Sequence, residues 1–295
     1  MDNEKLNQIQ RGKGFIAALD QSGGSTPKAL ANYGIPESAY SSDEEMFELV
    51  HQMRTRVITS PAFNSNRIIG TILFEKTMES NINGKPTADY LWQDKHIVSF
   101  LKVDDGLQPK QNGVQMMKQI PELTDRLAAA KRHGIFGTKM RSVIYEPDTA
   151  GIKEIVDQQF TLAKQICANK LVPIIEPEVS IGAINKAECE DLLKSEIQKQ
   201  LQDWDNNNKI MFKFTIPDID NLYLDLYDSP AVIRIVALSG GYSINDACAR
   251  LARNHNMPAS FSRALLQNLQ VQQTDNEFNT TLANTIEQIY SASID

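Results

Sequence analysis

The sequence predicts an α/β chain folded as a single-domain (β/α)8 TIM barrel over residues 1–295. Three observations carry this expectation: eight short apolar runs, stretches of helical period between them, and polar residues where the runs end. The runs cover 15–20, 68–74, 97–104, 135–142, 171–179, 210–215, 232–239 and 259–263. Each is rich in Ile, Val, Leu or Phe and short enough for a strand. They are nearly continuous rather than alternating, which predicts strands covered on both faces, as in a parallel sheet.

Between the runs lie helical patterns. Residues 151–169 carry Ile152, Ile155, Val156, Phe160, Ala163 and Ile166 near period 3.6. Similar patterns cover 187–204, 243–252 and 277–290. An open, doubly wound sheet is the competing architecture. No GxGxxG fingerprint follows the first run, which weakens it.

Composition narrows the function. The chain has 41% hydrophobic and 23% charged residues, ordinary globular values. A net charge of −7 argues against a nucleic-acid partner, although a local cluster of Lys and Arg can still receive a small anion. No apolar stretch reaches the ~18 residues of a membrane span, and the N-terminal segment lacks the apolar core of a secretory signal. Cys167, Cys189 and Cys248 are scattered and odd in number, so a reducing cytoplasm is the expected location. His51, His96, His133 and His255 are isolated, with no HxH or HExxH spacing. Neither a catalytic metal nor a cofactor is therefore expected. Activation of a carbonyl then falls to another group, and an amine is the natural substitute.

The run ends carry the chemistry. Lys102 and Asp104, Lys139 and Arg141, and Glu176 and Glu178 are spaced i, i+2, so each pair shares a face of its strand. Asp20, Ser239 and Arg263 end other runs. Barrel sites lie at the C-terminal ends of strands, so these groups should converge on one rim. A single such charge is more often a solvated loop residue; recurrence in most runs favours a site. Lys213 lies between Phe212 and Phe214. It either snorkels to the rim or serves as a desolvated amine, with Lys139 as a neighbouring cation. Glu176 and Glu178 can share a proton for acid–base work, each can pair with one of the lysines, or both can hold together. Pro173 and Pro177 beside them fit strand ends or edges. Ser22, Ser25 and the glycines between them form one phosphate cradle, and Ser239, Gly240 and Gly241 a second, with Arg263 supplying a guanidinium. A tight turn explains either stretch alone.

Taken together, Ile16–Ser22, Phe100–Asp104, Gly137–Arg141, Val172–Glu178, Phe212–Lys213, Leu238–Gly241 and Ser260–Leu265 resemble the class I (Schiff-base) fructose-bisphosphate aldolases, bacterial type, nearly end to end. That resemblance implies a carbon–carbon lyase of glycolysis and gluconeogenesis, cleaving fructose 1,6-bisphosphate to dihydroxyacetone phosphate and glyceraldehyde 3-phosphate. It implies Lys213 as the nucleophile, Glu176 as the acid–base residue, Asp20 and Lys139 as polarising groups and Glu178 as a tuner of the proton network. Ser239, Gly240, Gly241 and Arg263 are implied at the C1 phosphate; Ser22, Ser25, Lys102 and Arg141 are implied at the C6 end. The expected partner is a small sugar phosphate; a homo-oligomer is left open. A transaldolase-like or pyruvate-type lysine aldolase and a non-catalytic phosphosugar-binding protein are the rival readings.

Overall fold

A computed structural model describes residues 2–294. Seven strands form one sheet in chain order: β1 (Phe15–Leu19), β2 (Ile68–Leu73), β3 (Val98–Lys102), β4 (Gly137–Ile144), β5 (Val172–Val179), β6 (Ile210–Thr215) and β7 (Val232–Leu238). All six neighbouring pairs are parallel. The short segment Val114–Gln115 adds to β4 in the antiparallel sense.

The eighth run differs from expectation. It is not a regular strand, and Arg263 begins the short helix Arg263–Leu266. Residues 258–261 nevertheless close the ring. Ala237 N–H donates to Pro258 O at 2.9 Å and Ser260 N–H to Ala237 O at 2.6 Å. On the other side, Ile16 N–H donates to Ala259 O at 2.9 Å and Ala18 N–H to Phe261 O at 3.1 Å. Pro258 brings no donor, and the helix starts too soon for a longer ladder.

Pro173 and Pro177 lie within β5, not at an edge. β5 registers with β6 only through Ile174 and Ile175, so the prolines flank the paired stretch on that side.

The two-residue period sorts the strand residues. Phe15, Ala17 and Leu19 face outward into the layer shared with the helices, whereas Ile16 and Ala18 face the barrel interior. Val98, Phe100, Val172, Ile174 and Met211 fill the same interior. Gly137 is required there: a Cβ would lie 2.1 Å from Val172 O and 2.8 Å from the Phe100 ring. Helix Asn3–Arg11 sends Ile9 into this cluster. Arg234 Nε fixes the helix end by donating to Ile9 O at 2.8 Å. The N-terminal end of the barrel interior is thus closed by apolar packing.

Outer helices carry the expected signals. Thr149–Ala168 is capped by Asp148, whose carboxylate accepts from Gly151 N–H. Asp275–Ser293 starts with a capping box between Thr274 and Glu277. Lys186–Gln202 and Ile244–Leu251 occupy the remaining predicted stretches, each displaced by one or two residues.

Candidate active site

In five of the seven strands the inward row changes from apolar to ionic toward its C-terminal end. In β1 the row Ile16, Ala18 leads to Asp20; in β3 the row Val98, Phe100 leads to Lys102 and Asp104. In β4 Gly137 is followed by Lys139 and Arg141, and in β5 Val172 and Ile174 by Glu176 and Glu178. Met211 precedes Lys213 in β6. Phe212 and Phe214 point the other way: their rings stack with centroids 5.3 Å apart, and Phe214 stacks on Tyr223 at 4.0 Å. That outward aromatic stack fixes the register of β6 and turns the Lys213 amine inward.

Four of these side chains make one buried cluster. Lys139 Nζ is 2.7 Å from Asp20 Oδ2 and 2.8 Å from Glu176 Oε2, and Lys213 Nζ is 3.2 Å from Glu176 Oε1. Lys139 and Glu176 are 3% exposed and Lys213 4%, so Lys213 does not snorkel to solvent. Glu176 Oε2 accepts no hydrogen bond of good geometry from the described residues, despite the nearby ammonium. It keeps a lone pair available to a proton.

Burial opposes the charge on Asp20, yet the Lys139 and Lys213 ammoniums overcome it and hold the carboxyl well below its ordinary range. Burial likewise opposes the charge on Lys139. Asp20, Glu176 and Asp104 outweigh it and hold the ammonium well above the lysine range. Lys139 is therefore a fixed cation.

Around this core stand two more pairs. Arg141 Nε donates to Glu178 Oε2 at 2.5 Å, and Lys102 Nζ lies 2.8 Å from Asp104 Oδ1. Glu176 meets both lysines, and Glu178 meets Arg141 rather than a lysine. Burial opposes the Arg141 charge too, but Glu178 dominates and raises its pKa.

The glycine-rich loops lie beside the cluster. A cavity of about 340 Å³ is lined by Ser25, Lys28, Ser239, Gly241 and Arg263, with Tyr33, Met53 and Leu266 as its apolar wall. Gly240 has φ +61, and a Cβ there would lie 2.6 Å from the Ile181 side chain. A side chain there would have to displace Ile181. A Cβ on Gly241 would be 3.5 Å from the Arg263 guanidinium, so the loop and the arginine face one another. Arg263 forms no ion pair among the described residues, unlike Arg141. It is free for an anion.

The four residues expected at the C6 end are divided. Ser25 lines the same cavity as Ser239 and Arg263, whereas Lys102 and Arg141 lie off it. Ser22 N–H donates to Ser25 Oγ at 3.0 Å, and the Ser25 hydroxyl donates to Ser22 O at 2.8 Å, closing a tight turn. Lys28 and the fully buried Arg54 were not anticipated. Arg54 was legible as a charge on the apolar stripe of Met46, Val50, Met53 and Val57 in helix Asp43–Thr59.

A family model described as fructose-bisphosphate aldolase class I matches residues 3–217. The chain belongs to the class I fructose-bisphosphate aldolase family. Aldolases of this class are carbon–carbon lyases, and the sequence reading of family and fold agrees. The chain is 59% identical over 294 residues to the class 1 fructose-bisphosphate aldolase of Clostridium acetobutylicum, covering 100% of both. It is 55% identical to that of Porphyromonas gingivalis over 294 residues, again 100% of both. The Synechocystis enzyme is 56% identical, covering 99% of this chain and 98% of the relative. In architecture, the chain is similar to a Plasmodium falciparum fructose-bisphosphate aldolase solved with TRAP and a small-molecule inhibitor. The TM-score is 0.77 at 21% identity, over 99% of this chain and 95% of that one. This likeness shows the aldolase barrel fold. Among the described residues, no helix is long and apolar enough to cross a membrane.

Proposed function

We propose that the chain, as one catalytic domain, reversibly cleaves fructose 1,6-bisphosphate to dihydroxyacetone phosphate and glyceraldehyde 3-phosphate through an iminium at Lys213. One observation carries the assignment. A single carboxylate, Glu176, is held between two buried lysines, at 3.2 Å from Lys213 and 2.8 Å from Lys139.

The two lysines are not equivalent. Lys139 has a second carboxylate, Asp20, and is pinned as an ammonium, so it cannot attack a carbonyl. Lys213 has Glu176 alone within ion-pair distance among the described residues. Passing one proton across that contact gives a free amine and a carboxylic acid with no change in net charge. The amine attacks the C2 ketone. The Glu176 proton then leaves with the carbinolamine hydroxyl as water, giving the cationic iminium. That cation draws the electrons of the C3–C4 bond, while the carboxylate takes the C4 hydroxyl proton and the aldehyde departs. Lys139 supplies fixed positive charge through these steps, and Asp20 holds Lys139 in place. Glu178, locked on Arg141, orients the end of β5 beside Glu176.

One phosphate is assigned to Ser239, Gly240, Gly241 and Arg263, with Ser25 on the same cavity wall. Lys102, Arg141 and Ser22 are assigned to the other end of the substrate. Three free, buried cysteines support a cytoplasmic location. The test is a kinetic panel with the parent and Lys213→Ala. Lys213→Ala should lose cleavage entirely, and the parent should prefer the bisphosphate ketose to monophosphate ketoses and pyruvate-type substrates. Clear preference for a monophosphate would contradict the substrate assignment. Normal turnover by Lys213→Ala would contradict the nucleophile.

A further inference from the structure

Helix Asp43–Thr59 lays Met46, Val50, Met53 and Val57 against the barrel, and Arg54 lies among them, 1% exposed. Among the described residues its guanidinium meets no carboxylate within ion-pair distance, and its Nε has no partner at all. Burying a cation this way is costly, so the fold must gain something from it. Burial pulls the guanidinium pKa down to about 10, with the charge of Asp20 pushing back. It is still a cation near neutrality.

Arg54 grips the chain immediately after Asp20. Its NH1 donates to Thr77 Oγ1 at 2.7 Å, and its NH2 to the backbone carbonyl of Gln21 at 2.5 Å. The same NH2 leans toward Gln21 Oε1 at 3.4 Å. The Gln21 amide then turns its other end outward: Nε2 donates to the Ser262 hydroxyl at 2.6 Å. Ser262 directly precedes Arg263, which lines the cavity together with Gln21 and Ser239. A hydrogen-bonded chain therefore runs from a rigid helix, through the residue after Asp20, to the residue before the anion-facing arginine. None of these three side chains has a part in the chemistry assigned above.

We infer that Arg54, Gln21 and Ser262 are positioning residues that tie the end of β1, carrying Asp20, to the loop carrying Arg263, so that a phosphate seated on Arg263 holds Asp20 and Lys139 in their working geometry. The inference rests on the aldolase reading of the site. The guanidinium suits it, because its planar fork reaches Thr77 and Gln21 with separate donors held in fixed geometry. A neutral amide is needed next, because Gln21 must accept from Arg54 and donate to Ser262 at once.

The test compares borohydride trapping of the amine by dihydroxyacetone phosphate and by unphosphorylated dihydroxyacetone. Ser262→Ala removes one hydroxyl without disturbing the core, and Gln21→Ala removes the link from the other side. Each should shrink the trapping advantage of the phosphorylated ketone about fivefold, the scale of one lost hydrogen bond. The double variant should be no worse than the poorer single one, because both changes break the same link. Ser262→Thr, which keeps the hydroxyl, should restore the parent ratio. Equal slowing with both ketones, or losses that multiply to about twenty-five-fold in the double variant, would overturn the tie and leave a mere brace. If neither ketone is trapped by the parent, the aldolase reading itself fails. Amide exchange then decides the tie: Ser262→Ala must raise exchange at residues 20–22, and unchanged exchange there overturns it.

Discussion

Replacing Lys139 with methionine keeps the volume of the side chain and removes its charge. In the parent that charge lies 2.7 Å from Asp20 and 2.8 Å from Glu176, with all three side chains nearly sealed from water. The variant leaves two buried carboxylates with Lys213 as the one remaining ammonium in ion-pair contact with them among the described residues. Breaking a buried ion pair from one side costs roughly 3–5 kcal/mol. A chain of 295 residues unfolds with an entropy near 0.6 kcal/mol per degree, so the melting temperature should fall by roughly 5–8 °C at pH 7. The loss must also depend on pH. Asp20 is depressed below its ordinary value, so its stabilising share is present above about pH 4 and is lost as the pH falls. Lys139 is raised, so its share is present below about pH 10.4 and disappears only in stronger alkali. Without the cation, the buried carboxyls take up protons more readily as the pH falls, which relieves the penalty. Thermal melts followed by circular dichroism at pH 7 and pH 4.5 should therefore show the gap between parent and variant at least halving at the lower pH. A gap under about 2 °C at pH 7, or one that is the same at both pH values, would refute this account of the cluster.

Three further outcomes follow from the same geometry. Glu176→Gln keeps the shape of the side chain but cannot carry a proton between Lys213 and the substrate, so kcat should fall about 10²–10⁴-fold; a loss under tenfold in steady-state assays would remove Glu176 from the acid–base role. Arg263→Ala deletes a guanidinium with no other ion-pair partner among the described residues, and kcat/KM for the bisphosphate should drop roughly 10–150-fold. A variant within twofold of the parent would place the phosphate elsewhere. Burial pushes the Cys167 thiol up to about 12 and those of Cys189 and Cys248 up to about 11. Iodoacetamide at pH 8 should then label none of them in the folded protein and all three in urea; rapid labelling of the native chain would contradict their burial.

The strands were legible because a closed parallel sheet is covered on both faces, which leaves near-continuous apolar runs such as Ile210–Thr215. The eighth segment misled in its extent. Pro258 and the helix starting at Arg263 leave room for only a few ladder bonds, and composition does not record where a ladder stops. The parity of the site was also legible: residues two apart in β3, β4 and β5 share the inward face, so the ionic groups had to converge. Their partners were not. Whether Glu176 meets Glu178 or the lysines is set by how neighbouring strands align. The observed register places Arg141 beside Glu176 and Val143 beside Glu178 in the ladder. Nothing in β5 alone encodes that. The links from Gln21 to Arg54 and to Ser262 were hidden for a related reason, since they span 33 and 241 residues of chain.

The central claim is that the amine of Lys213, and not that of Lys139, condenses with the sugar ketone. Borohydride reduction in the presence of dihydroxyacetone phosphate, followed by peptide mass spectrometry, tests it directly. A single irreversible adduct on the peptide containing Lys213, with matching loss of cleavage, is the predicted result. An adduct on Lys139, or full activity after reduction with substrate present, would contradict it.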